Sequence, residues 1–154
     1  MNLSRNVKFT HMMPDGTNYV LSAAQTTGTS DALDMQNWDG VVFIGILGAG
    51  TATGTLSLKV QQCTTSGGTY ADLTGTSSGN STATTDNNKM IIIDIFRPLK
   101  RYLKVITTRG TANTILEALI AIQYRGRKVP VTQATTTGQA FSHEVFISPA
   151  EGTA

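Results

Sequence analysis

The chain has 154 residues, enough for one domain with a sizeable core and no need of staples. Hydrophobic residues make up 40% and mean hydropathy is −0.05, which argues against both a disordered and a membrane-embedded chain. Charged residues are only 14%, against roughly 25% in an average soluble domain, and the net charge is +2, so partners are not selected by bulk charge.

Threonine, at about one residue in six, takes the place of the missing charge. It is β-branched, suits strands and solvates a surface with neutral hydroxyls. Such a surface fits extracellular or virion proteins that pack against their own copies, and fits a carbohydrate-binding module equally well.

In chain order, residues 1–17 read as an N-terminal arm with a turn at Pro14-Asp15-Gly16. The start lacks the continuous apolar segment of a signal peptide. The longest apolar run, Gly40–Gly48, is about half of what a spanning helix needs. The expectation is a chain made in the cytoplasm that contacts no membrane. Residues 18–128 read as one domain and 129–154 as an extended tail with apolar beads at Val129-Pro130-Val131 and Val145-Phe146-Ile147.

Within the domain, Asn18–Leu21 is a short strand. Ser30–Gln36 could be a capped helix, but Leu33 and Met35 alternate with Ala32 and Asp34, which favours a strand. Trp38, in a turn, either folds back onto the domain or offers a platform for a sugar. Val41–Leu47 is almost wholly apolar, the mark of a strand covered on both faces. Thr55–Gln62 alternates cleanly, with Leu56, Leu58 and Val60 on one side, and Tyr70–Leu73 follows a reversal at Ser66-Gly67-Gly68. Residues 74–88 form a polar loop without periodicity. Lys89–Phe96 is a second heavily buried strand, stopped by Pro98. Arg101–Thr108 returns, and Thr114–Tyr124 runs back beside it.

These segments predict about eight strands in hairpin succession, an all-β fold built as an antiparallel β-sandwich. The predicted core comprises Val42, Ile44, Leu56, Leu58, Val60, Ile91, Ile93, Leu103, Val105, Ile120 and Ile122. Both faces of Thr114–Tyr124 are largely apolar, so one should feed the core and the other needs a cover such as a neighbouring subunit.

Residues that could carry chemistry are sparse. Gly48–Gly54 looks like a dinucleotide fingerprint, but a strand follows where a helix N-terminus would have to hold the pyrophosphate, so it reads as a hairpin loop. Cys63 is the single cysteine and has no histidine near it in sequence; it reads as a small hydrophobe. His11 and His143 are too far apart for zinc spacing, and Asp31, Asp34 and Asp39 lack a calcium loop. The expectation is a protein that is not an enzyme and uses no metal or cofactor.

Lysine and arginine concentrate in two places, Arg97, Lys100 and Arg101 in the first and Arg125, Arg127 and Lys128 in the second. One reading is a solvated hairpin tip and a strand exit. The other is an electrostatic contact with an acidic partner surface. The aromatics nearest these charges form no stacking series, so nucleic acid is not the expected partner.

Val41-Val-Phe43, Leu58-Lys-Val-Gln-Gln62, Thr69-Tyr-Ala-Asp-Leu73, Ile93-Asp-Ile-Phe-Arg-Pro98, Arg101-Tyr-Leu-Lys104, Ile120-Ala-Ile-Gln-Tyr124 and the ending Ile147-Ser-Pro-Ala-Glu-Gly-Thr-Ala154 together resemble small virion proteins of tailed bacteriophages and prophages. Within that group the likeness is to capsid decoration, or cement, proteins with a jelly-roll-like sandwich, and it spans most of residues 30–154. The resemblance implies a homodimer or homotrimer that binds the major capsid protein on the outer surface of the head. It brings no catalytic residues. A tail, baseplate or head-fibre component is the alternative within virions, and a carbohydrate-binding module, with Trp38 and Tyr70 stacking on sugar, is the alternative outside them. The residues expected at interfaces are the six cations above together with Val145, Phe146 and Ile147.

Overall fold

The computed structural model describes residues 2–13, 20–133, 142 and 144–145. A single 3-10 turn at Leu3–Arg5 precedes the strands β1 (Lys8–His11), β2 (Val20–Leu21), β3 (Thr27–Thr29), β4 (Leu33–Asp34), β5 (Trp38–Leu47), β6 (Thr55–Cys63), β7 (Ala71–Asp72), β8 (Ser81–Thr82), β9 (Met90–Phe96), β10 (Tyr102–Arg109) and β11 (Thr114–Gly126). One sheet has the order β1-β11-β5-β9 with β2 beside β11; the other has the order β3-β10-β6-β7 with β4 beside β10 and β8 beside β6. Every ladder is antiparallel. The fold is all-β, two antiparallel sheets packed as a sandwich, as the alternation in the sequence predicts, and the strand order is jelly-roll-like, as the resemblance implies.

The connections differ from the expected hairpins. β5 and β6 lie in different sheets, so Gly48–Gly54 crosses the sandwich. The same holds for Arg97–Arg101 between β9 and β10, and for the turn between β10 and β11. β11 pairs with β5, β1 and β2 instead of with β10. These three pairs of sequence neighbours thus lie in opposite sheets, whereas β6 and β7 pair as the expected hairpin.

The core corrects the predicted parity of two strands, β5 and β11. Leu56, Leu58, Val60, Leu103 and Val105 are fully buried as expected. On β5, however, the inward residues are Val41, Phe43 and Leu47, while Val42, Ile44 and Ile46 point outward and stay half-buried. Hydrophobicity could not decide this, because both sets are apolar. Glycine decides it: a Cβ on Gly45 would lie 2.7 Å from Leu58 Cδ1, so this inward position closes tightly on the opposite sheet. On β11 the register shifts between Leu116 and Ala118, a bulge that places Glu117 in solvent and turns Leu119 and Ala121 inward after Leu116. Ile120 and Ile122 are thereby moved to the outer face. β9 is an edge strand, with Ile95 buried and Ile91 and Ile93 partly buried against the core, and it is far less covered than the sequence suggests.

The polar loop after β7 has a structural duty. Its hydroxyls run along the free edge of β6, with Leu58 N–H donating to Ser78 Oγ at 3.0 Å and Val60 N–H to Thr76 Oγ1 at 3.1 Å. Ser78 N–H returns a bond to the Leu58 carbonyl at 2.9 Å. Serine and threonine here satisfy an edge that would otherwise invite another strand.

Residues 7–13 and 131–133 are tied to the sandwich. β1 is an integral strand of the first sheet, and Met12 and Met13 are core residues. Gln133, 6% exposed, donates from Nε2 to the carbonyls of Ser4 (3.0 Å) and Val7 (2.7 Å) and accepts from Phe9 N–H (3.2 Å). Val131 N–H bonds the Arg5 carbonyl at 2.7 Å, so residues 131–133 clasp the start of the chain.

Candidate interaction surfaces

The parity correction leaves the outer face of the β1-β11-β5-β9 sheet apolar. Its rows follow from the registers: His11, Ile120, Ile44 and Ile92 in one, Phe9, Ile122, Val42 and Asp94 in the next. Ala118, Ile46 and Met90 extend it on one side. Tyr124, Gly40 and Phe96 close it on the other, where the Tyr124 ring fills the space a Gly40 side chain would need. Met90 is 61% exposed, Ile92 60% and Phe96 49%. Four strands at roughly 4.8 Å spacing and about seven residues of length give a footprint of roughly 450 Å².

The polar groups on this face are held. Tyr124 Oη donates to Asp94 Oδ1 at 2.7 Å. Burial, helped by that bond, pushes the Tyr124 hydroxyl up to about 12. β9 has no ladder partner on its second side among the described residues, so an open strand edge borders the apolar face.

At the Phe96 end, the structure gathers three of the six predicted cations, Arg97, Arg125 and Arg127. Arg97 and Arg125 both have left-handed backbones, φ 51° and 54°, and both guanidiniums lie over the Phe96 ring, 5.1 and 5.4 Å from its centroid. Arg127 lines an open groove of about 600 Å³ with Trp38, Asp39, Arg97 and Pro98. Arg101 pairs within the chain: its Nε and Nη2 donate to Asp34 at 2.8 and 2.7 Å, and Nη2 also to Gln36 at 2.6 Å. That pairing holds the Asp34 carboxyl below its ordinary range. Lys100 and Lys128 are exposed. Val145 is half-buried, whereas Phe146 and Ile147 lie outside the described residues.

The sequence reading missed Phe96, Leu99 and Tyr124. Leu99, 91% exposed, sits at the tip of the crossover between β9 and β10. A signal for it was present: an apolar residue set between Pro98 and Lys100 in a turn has no core to join.

The other candidate residues have neighbours of their own. Trp38 packs against Gly126, whose added Cβ would lie 2.8 Å from the ring, and Lys104 Nζ sits 4.6 Å from the Tyr70 centroid. Cys63 is buried, and the Thr65 backbone N–H holds its thiol below the ordinary value. Among the described residues no three His, Cys, Asp or Glu side chains gather as a metal-binding group, and no helix is long and apolar enough to cross a membrane.

No protein-family model and no curated protein matches the chain. Among solved structures it is similar to that of Eiger TNF from S. frugiperda, at 8% identity and a TM-score of 0.41, covering 83% of this chain and 98% of that one.

Proposed function

We propose that this chain is a structural protein of a phage virion, a decoration or cement protein that self-associates and binds the outer surface of the head. The observation that carries the self-association is the outer face of the β1-β11-β5-β9 sheet. Its roughly 450 Å² footprint lies within the 300–600 Å² of the largest patch on a typical monomer, and such patches are often functional. It would supply the apolar centre of a standard interface of about 800 Å² per partner. The free edge of β9 beside it extends the same surface. Placement on a phage head is what the sequence resemblance adds, and the neutral, threonine-rich surface supports it.

The test is reconstitution on particles. Heads stripped of the protein should lose heat tolerance and regain it when the purified protein is added back. Protein that ignores heads and fractionates with tails, or with neither, overturns the placement.

A further inference from the structure

The Arg97–Phe96–Arg125 cluster is not accounted for by packing. Strict alternation would send Arg97 and Arg125 to the inner side with Ile95 and Gln123, both of which are buried. Each instead adopts a left-handed backbone, which L-residues other than glycine rarely do, and each brings its guanidinium over a ring on the outer side. Two like charges converge there, and neither makes an ion pair among the described residues. The nearby carboxylate of Asp94 is engaged by Tyr124.

Two open grooves flank Arg97 and Pro98. One, of about 600 Å³, is lined by Trp38, Arg97, Arg127 and Asp39. The other, of about 350 Å³, is lined chiefly by Leu73, Ile95, Phe96 and Leu99, with Gln62, Asp72 and Thr74 also in its wall. A cationic groove thus adjoins an apolar one, with Phe96 49% and Leu99 91% exposed beside them. Arginine and aromatic side chains are the groups that dominate protein–protein recognition, and arginine pairs with carboxylates in a planar, two-point fashion.

We infer that this end of the sandwich docks an acidic protein segment in which a carboxylate sits next to an apolar residue. The carboxylate meets Arg97 and Arg125, and the apolar residue enters the groove beside Phe96 and Leu99. A bare phosphate or a nucleic acid would use the cations and leave the second groove idle. The inference goes beyond the virion reading and stands without it.

The test begins with random displayed peptides of about twelve residues, roughly 40 Å when extended, panned on the full-length protein. Enriched peptides are then measured by fluorescence anisotropy. They should carry Asp or Glu adjacent to an apolar residue. Binding should weaken at least tenfold in the Arg97→Ala, Arg125→Ala double variant and by less than twofold in Lys89→Ala, at the far end of β9. Arginine side-chain resonances of the wild-type protein supply a readout that does not depend on the variant folding, and those of Arg97 and Arg125 should shift on titration. Enrichment without acidic residues, undiminished binding by the double variant, or shifts confined to other arginines overturns the inference. So does an oligothymidylate that binds these arginines more tightly than the best peptide.

Discussion

β9 carries its own internal control for the assignment of inner and outer faces. Ile95 is 9% exposed on the inner side and Ile92 is 60% exposed on the outer side, so one substitution can be made twice on one strand. Replacing Ile by Ala removes three carbons, worth about 2.4 kcal/mol at roughly 0.8 kcal/mol each when fully buried. At Ile95 a cavity penalty adds to this, and Ile95→Ala should cost about 2–5 kcal/mol. At Ile92 only about two-fifths of the side chain is buried in the single chain, so Ile92→Ala should cost about 1 kcal/mol in dilute solution. For a chain of this length each kcal/mol moves the melting temperature by about 2–4 °C, which separates the two variants clearly. If copies cover the outer face, the Ile92→Ala deficit grows with protein concentration while the Ile95→Ala deficit does not. Thermal melts of both variants over two orders of magnitude in concentration check this. Equal costs at low concentration, or a harmless Ile95→Ala, would refute the assignment of faces.

Further outcomes follow from single contacts. Gln133→Ala removes a buried amide that serves three backbone groups and should cost roughly 2–3 kcal/mol by chemical denaturation, more than any exposed substitution in the same segment. Asp34 has its folded-state pKa lowered by the Arg101 bonds, so its contribution is present above the ordinary value of 3.8 and is lost as pH falls through the folded value; Asp34→Asn should melt lower than wild type at neutral pH and converge with it in acid. Tyr124 is shifted the other way: its contribution is complete below the ordinary 10.0 and fades as pH rises toward about 12, so ultraviolet titration should show a late phenolate phase that Tyr124→Phe removes.

The fold was legible in the sequence wherever alternation was one-sided. Leu56, Leu58 and Val60 against Ser57, Lys59 and Gln61 define β6 and its face without ambiguity. Val41–Leu47 defines a strand but not its orientation, since Val42, Ile44 and Ile46 are as apolar as Val41, Phe43 and Leu47. The bulge at Glu117 inverted the parity of β11, and nothing in a periodic reading marks a single extra residue. Hairpins were expected because short turns separate the strands, yet a turn's length does not say whether the chain stays in its sheet. The cations of the candidate surface were visible as two clusters. That Arg97 and Arg125 converge on Phe96 while Arg101 serves Asp34 depends on backbone angles and on pairings across the fold, which local sequence does not encode.

If the outer sheet face is an assembly surface, sedimentation velocity should separate wild type from Ile92→Gln. In an interface the variant would lose the remaining three-fifths of the Ile92 burial and bury an amide without a partner, together about 2–4 kcal/mol per copy, or roughly 30- to 1,000-fold in affinity. The wild-type protein should sediment at a multiple of the 16.4 kDa chain mass and the variant as the monomer. A wild-type protein that stays at 16.4 kDa at every concentration, or a variant that associates undiminished, would contradict it.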